Sequence, residues 1–316
     1  MANKAVAYID LLGFSNCVQN NPDEAIMMLS HFNTILNTLH FERNVHPSSG
    51  YDPALQSLAR RTSNESFEHF IPFSDAVFIA GTNCSDFILQ LGNFVLRSFM
   101  FNAHVFATPL EKPDPTAWHN IGLDNSGQPI DIPCHERPVL FRGGLAFGDV
   151  LGTTPMGLFN NQKTTVGNLM GEAVVRAVRI GEMGVKGPRI VFDQSVYEQL
   201  NNDALLYCRE MPEEAFKGYY EILWPAMDFV LENKDTFPQE LSHFYEVFNP
   251  AYKLWQFYKN SPVADHYVCF LELIVSATIK VYDALGYDSF IRKQMVDVMK
   301  SRFTDGERMV IFEGVE

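Results

Sequence analysis

The sequence predicts an α/β sandwich, a mixed β-sheet with helices on one face, followed by a helical C-terminal extension. Three observations carry this. Apolar runs of β-forming residues alternate with stretches of helical period in the order β-α-ββ-α-β-α-β. Two of those strands are separated only by Ser74 and Asp75, so they pair as a hairpin. From about residue 225 the strand signals stop and aromatic-rich helical periods take over.

The elements follow in order. "KAVAYIDLL" has β-formers and no turn residue until Gly13, so it reads as a buried strand. The next segment repeats Ile26, Leu29, Phe32, Ile35, Leu36 and Leu39 at three- and four-residue spacing, behind Pro22, Asp23 and Glu24, which suit a helix start. Residues 44–66 read as an exposed loop or short helix. "FEHFIPF" and "AVFIAGT" form the hairpin, and "DFILQLGNFVLRSFMFNAH" a second apolar helix. Residues 107–138 carry six prolines and read as an irregular excursion. "VLFRGGLAFGDVLG" reads as a strand, "GNLMGEAVVRAVRIGEMG" as a helix closed by glycine, and "GPRIVFDQ" as another strand. In the C-terminal part, "FLELIVSATIKVYDAL" and "SFIRKQMVDVMKSRF" have helical periods. This gives one domain over 1–224, with its insertion at about 105–138, and an extension over 225–316 that serves packing or dimerisation.

Composition narrows the function classes. With 47% hydrophobic and 20% charged residues the chain is an ordinary globular one. Its net charge of −14 argues against a nucleic-acid partner, whose phosphates demand a basic surface. No apolar run is long enough to cross a membrane, and Asp10 interrupts the N-terminal apolar stretch where a signal peptide would need continuity. The five cysteines are scattered and never spaced C-x-x-C, which fits reduced thiols in a cytoplasm and no structural zinc.

Asp10 ends the first strand and Asp75 sits in the hairpin turn. If the first strand lies beside that hairpin, both carboxylates project at one sheet end and form a hard-oxygen site for one or two Mg²⁺ or Mn²⁺ ions, completed by water and substrate phosphates. Taken alone, Asp75 also reads as a turn former and Asp10 as a strand-end or helix N-cap residue.

Four motifs bear on that choice. "AYIDLLGFS" resembles the F-x-D-I-x-G-F strand of class III nucleotidyl cyclases, and "PFSDAVFIAG" their G-D hairpin. "VLFRGGLAFGDVLG" is similar to their R-x-G-I-h-x-G strand, and "GEAVVRAVRI" to their G-D-x-V-N-x-A-A-R helix, with Gly171, Val174, Ala177 and Arg179 in register. The match spans roughly residues 4–205. It is closer still to the bacterial pyrimidine cyclases of the Pycsar anti-phage systems.

The resemblance implies a ferredoxin-like, palm-type catalytic domain. It implies conversion of UTP or CTP, UTP favoured, to the 3′,5′-cyclic monophosphate and pyrophosphate, and an effector that binds the product. It implies Asp10 and Asp75 as metal ligands, the backbone carbonyl of Ile9 or Leu11 as a further one, and amides across "LLGFS", including Phe14, as a phosphate cradle. Arg179 would stabilise the pentavalent phosphorus. It further implies a homodimer with composite sites, the metal acids from one chain and Arg179 from the other.

Several positions depart from the family pattern. Val175 stands where the family has a ribose-binding asparagine. Ile71 stands at the base-reading lysine of adenylyl cyclases and Asn168 at their adenine-reading aspartate, which speaks against ATP. Asn168 offers a donor and an acceptor together, suited to uracil or cytosine. Arg142 either holds triphosphate or pairs structurally, and Asp149 in "FGDV" reads as a solvated strand-end acid or a third ligand. The competing readings are a cyclase-like nucleotide-binding module without turnover, a purine cyclase, and a diguanylate cyclase, which the sequence disfavours by lacking a G-G-[DE]-[DE]-F hairpin.

Overall fold

The computed structural model describes residues 2–41, 63–101, 103, 116–123, 126, 128–135, 138–153, 156–159, 162–165, 168–231, 242–285, 293, 296–297 and 300–304. The expected loop at 44–66 lies mostly outside these residues, as does most of the helix expected over 289–303.

A strand opens the chain. β1 (Ala2–Leu11) has Ala5, Ala7, Ile9 and Leu11 buried on one face and Val6 buried on the other. A strand apolar on both faces needs cover on both. It lies between the antiparallel strands β3 (Ala76–Gly81) and β6 (Phe141–Thr153). β2 (His69–Phe73) pairs with β3 at one edge. On the other side of β6 come β10 (Ile190–Asp193), parallel to it, then β12 (Tyr219–Ile222) and β11 (Cys208–Glu210). The sheet order is β11-β12-β10-β6-β1-β3-β2, with β9 (Asn168–Met170) added on the end of β6. The expected mixed sheet is present, and the first strand does lie beside the hairpin.

The main core fills one face. α2 (Pro22–Phe41) contributes Met28, Phe32 and Ile35, and α3 (Cys84–Met100) contributes Phe87, Leu91 and Phe94. Ile26 departs from the expected apolar stripe and is 47% exposed. The buried line runs through Ala25, Met28, Phe32 and Ile35, and Ile26 stands about 100° away from Ala25 around the helix. Beyond two short helices, α5 (Gln194–Tyr197) and α6 (Asn202–Leu205), the C-terminal helices α7 (Ser242–Tyr258) and α8 (Ala264–Leu285) join the same core through Phe248, Leu254, Phe270 and Ile274.

The one-face layer of helices has an exception. α4 (Glu172–Gly181) packs Ala173, Ala177 and Ile180 against Val6, Ala146 and Val150 on the opposite face. Glycines make this close approach possible. A Cβ on Gly144 would lie 2.1 Å from the Ala177 carbonyl oxygen and 2.4 Å from the Gly181 nitrogen.

Three further differences from the sequence reading concern short strands. "NLM" forms β9 rather than the start of α4, because Gly171, at φ 137, breaks the path between them. The stretch read as irregular contains an antiparallel pair, β4 (Thr116–Leu123) and β5 (Pro129–His135). A second small pair, β7 (Met156–Phe159) with β8 (Gln162–Thr165), follows β6. No helix among the described residues is long and apolar enough to cross a membrane.

A buried ion network ties α8 to the sheet edge. Arg189, before β10, reaches Glu272 of α8 at 2.6 Å and Glu221 of β12 at 3.4 Å. Arg209 of β11 bonds the same two acids, at 2.9 and 2.6 Å. Glu221 has no exposed surface, and its charge is met by the two arginines.

Candidate active site

The site starts from strand register. Asp10 stands opposite Ala76 in β3 and Arg142 in β6. The hairpin turn directly before Ala76 contains Ser74 and Asp75, and the Leu11 N–H donates to the Asp75 carbonyl oxygen at 3.0 Å. That bond fixes the turn against the end of β1, so the two acids share one sheet end. Ser74 adopts φ 56 at the first turn position, where a tight hairpin favours glycine and where the cyclase motif has one.

What meets Asp10 is Arg142. The guanidinium Nε lies 3.2 Å from Oδ1 and Nη2 3.2 Å from Oδ2. Burial nevertheless pushes the Asp10 carboxyl above the usual carboxylate range, the Arg142 bonds oppose that, and the Asp75 charge adds to it. Of the two roles open to Arg142 in the sequence, the pairing role is the one occupied here. Asp75 is half-buried and has no side-chain hydrogen bond among the described residues.

The remaining expected residues divide. Ile9 and Leu11 bury their side chains in the main core, leaving only backbone carbonyls for any ligand. Phe14 opens a short helix, α1 (Phe14–Asn20), after Gly13 in a left-handed conformation at φ 86. Ile71 sits half-buried in edge strand β2. Asn168 is far away. It pairs with Thr153, at the opposite end of β6 from Arg142, roughly 35 Å along the strand at about 3.3 Å per residue. Asp149 stands opposite Asn3, at the far end of β1 from Asp10, so its reading as a third ligand beside Asp10 fails within one chain. Val175 and Arg179 are exposed on α4, and Arg179 makes no ion pair among the described residues. The helix arginine that is engaged is Arg176, bonded to Asp193, to the Ser195 hydroxyl at 2.6 Å and to Glu172 at 3.5 Å.

The donor set can be tested against a divalent ion. No group of three or more His, Cys, Asp or Glu side chains gathers among the described residues. Two carboxylates at one strand end still match Mg²⁺ or Mn²⁺, which take one or two carboxylates and complete their shell with water and phosphate oxygens. The electrostatics agree, because the Asp75 charge works against ionisation of Asp10 and a cation between them relieves that repulsion. The residues fit.

A cavity of ≈ 310 Å³ adjoins this end of the sheet. Neither acid lines it, but Arg142 does, together with the Leu12–Asn16 loop and residues from the turn between α7 and α8. The sequence reading missed the α7–α8 contribution because residues far apart in the chain meet there.

No protein-family model matches this chain, and no curated protein matches it. Solved structures do. The guanylyl cyclase Cya2 is 13% identical, with a TM-score of 0.39, over 70% of this chain and 91% of that one. A bacterial light-regulated adenylyl cyclase is 14% identical, with a TM-score of 0.42, over 73% of this chain and 58% of that one. An adenylate cyclase from Trypanosoma brucei, described in its monomeric state, is 11% identical with a TM-score of 0.40 and covers 70% and 88%. The Trp224 and Trp255 rings are buried, at 0% and 4% exposure.

Proposed function

We propose that this chain is a metal-dependent nucleotidyl cyclase that converts a pyrimidine nucleoside triphosphate, UTP or CTP, to its 3′,5′-cyclic monophosphate and pyrophosphate. The observation that carries the reading is the register of β1 and β3, which puts the Asp10 and Asp75 carboxylates at one sheet end with Arg142 beside them.

In this reaction the ribose 3′-oxygen forms a bond to the α-phosphorus while the bond from that phosphorus to the pyrophosphate oxygen breaks. The hydroxyl proton passes to solvent. Two Mg²⁺ or Mn²⁺ ions would lower the pKa of the hydroxyl and neutralise the triphosphate. The chain's own task is positioning. Asp10 and Asp75 would hold the cations, aided by the backbone carbonyl of Ile9 or Leu11. Arg142 would leave Asp10 once a cation takes its place, and its guanidinium would then face phosphate oxygens. Arg179 would meet charge that develops on the phosphorus.

Asn168 stands away from the acids of its own chain, at the far end of β6. That supports a composite site, completed by a second copy of the chain. The exposure of Arg179 on a helix face beside the apolar Val175, 50% exposed, supports the same arrangement. Asn168, with Ile71 in place of a lysine, supports a pyrimidine over adenine. A product effector and a role in phage defence follow from the sequence resemblance alone.

Two observations favour a second reading, a nucleotide-binding module without turnover. Arg142 already occupies Asp10, and Val175 cannot hydrogen-bond a ribose. Incubation with an equimolar mixture of the four nucleoside triphosphates and Mn²⁺, followed by separation of the products, tests both. A cyclic pyrimidine monophosphate is expected. A cyclic purine product alone would reassign the base, and no cyclic product with either Mn²⁺ or Mg²⁺ would leave the binding module.

A further inference from the structure

The cavity beside Arg142 is built from three separate parts of the chain. The segment from the end of β1 into the start of α1 supplies Leu12 and Phe14, the start of α2 supplies Glu24, and the facing ends of α7 and α8 with the turn between them supply Tyr258, Val263 and His266. Its ≈ 310 Å³ lies within the range of small-molecule sites.

The polar groups are sorted by sign. The Gly187 N–H donates to His266 Nδ1 at 3.0 Å, so the proton of the neutral ring sits on Nε2, which is left to donate. Burial holds His266 below the ordinary imidazole value, and the Lys186 and Arg142 charges lower it further. Arg142 and His266 thus make one donor-rich region. Glu24 lines the cavity from the start of α2. It is 8% exposed and receives the Asn21 amide at 3.2 Å, which makes an acceptor region of opposite sign. Tyr258 and Tyr267 add aromatic walls to the cavity, their rings stacked 4.6 Å apart and 5° from parallel.

We propose that this cavity binds a mononucleotide-like ligand, an anion joined to a planar ring that donates hydrogen bonds, and that the ligand acts on the acid site through Arg142. The anionic group takes donors from Arg142 and His266 Nε2, the ring lies against the tyrosine and Phe14 walls, and an amino or imino group of the ring donates to Glu24. Arg142 is the shared part. A guanidinium drawn into the cavity by an anion leaves the Asp10 carboxylate, which is then open to a cation. The binding claim stands apart from the cyclase reading; only its consequence at Asp10 rests on that reading.

Binding is therefore measured without turnover, by calorimetry in EDTA on the full chain carrying Asp75→Ala. The probes are the 5′-monophosphates and 3′,5′-cyclic monophosphates of uridine, cytidine, adenosine and guanosine, with free nucleosides and orthophosphate as half-ligands. At least one nucleotide is expected to bind one per chain, and its nucleoside and orthophosphate at least about tenfold more weakly. His266→Ala is expected to weaken binding at least about tenfold, the worth of one charge-assisted hydrogen bond. Val263→Trp, which fills the cavity, is expected to abolish it. If Val263→Trp does not melt cooperatively, His266→Ala decides. Failure of every nucleotide to bind, or binding unchanged in the folded variants, overturns the proposal while leaving the cyclase assay untouched.

Discussion

The Asp10 carboxylate and the Arg142 guanidinium face each other across the β1–β6 ladder, with Nε 3.2 Å from Oδ1 and Nη2 3.2 Å from Oδ2. The pair is one register step, and it stands where the cation of the proposed reaction would bind. A carboxylate in this position is held ready but blocked, and the rest of the site depends on which positive charge it keeps.

Protonation of Asp10 gives the first expectation. Burial, reinforced by Asp75 and opposed by Arg142, raises its pKa in the folded chain. The folded state then binds this proton more tightly than the unfolded state. Its contribution to stability is full below the unfolded value and is lost as pH rises through the raised folded value. Asp10→Asn removes that dependence. Thermal melts from roughly pH 4 to 7, across and above the ordinary carboxylate range, should show the variant gaining on wild type as pH rises. A variant that falls steadily behind over the same range would contradict the sign.

Cation binding gives the second. A divalent ion that binds only the folded chain should raise its stability by about 2.7 kcal/mol at a hundred times its dissociation constant. Addition of Mn²⁺ should raise the melting temperature of wild type, and EDTA should reverse it. Asp75→Ala should lose the shift. An equal shift in Asp75→Ala would place the ion elsewhere.

The packing of α4 gives the third. Gly144→Ala puts a methyl 2.1 Å from the Ala177 carbonyl oxygen and must push α4 off the sheet. Overpacking of this kind costs about 1–3 kcal/mol, read by urea unfolding. Gly148→Ala, four positions along the same strand, meets nothing nearer than 3.8 Å and should cost little. Equal costs at the two positions would refute this account of how α4 seats.

The ion network under α8 gives the fourth. Arg189→Met leaves Glu221, with no exposed surface, only Arg209 for charge. Breaking a buried pair from one side costs about 3–5 kcal/mol, so the urea midpoint should fall sharply. A fall no larger than that of a surface substitution would mean that α8 is held by its apolar contacts alone.

The composite site gives the fifth. Asp75→Ala and Arg179→Ala chains should each lose on the order of a hundredfold or more in activity, the scale of removing one group that stabilises transition-state charge. Mixed and allowed to exchange, they should recover part of it, because one of the two sites in a mixed dimer is whole. Absence of recovery in demonstrably mixed dimers would count against a shared site.

Much of this was legible in the sequence, and the reasons are local. The apolar run of β1 and the two-residue turn at Ser74–Asp75 are written in neighbouring residues, so the strand order around Asp10 is legible from the sequence. Arg142 could be named but its role could not, because a role set by cross-strand register depends on pairing between residues 132 positions apart. α4 was read as a helix, but its face was not, since only the glycines of β6 and the doubly apolar β1 reveal which side it covers. The strands β11 and β12 are too short to declare themselves, and their acids and arginines find meaning only with Glu272 of α8. The cavity was invisible for the same reason. Its walls come from the first strand and from the far end of the chain.

The most direct test of the central claim is turnover of UTP and CTP by the purified chain with Mn²⁺, beside Asp75→Ala, with products resolved by mass and by comparison with authentic 3′,5′-cyclic monophosphates. The two-acid site predicts a cyclic pyrimidine monophosphate and one pyrophosphate for each molecule formed by the wild type, and none from Asp75→Ala. Equal cyclic product from Asp75→Ala, or none from a wild type that binds Mn²⁺, would contradict it.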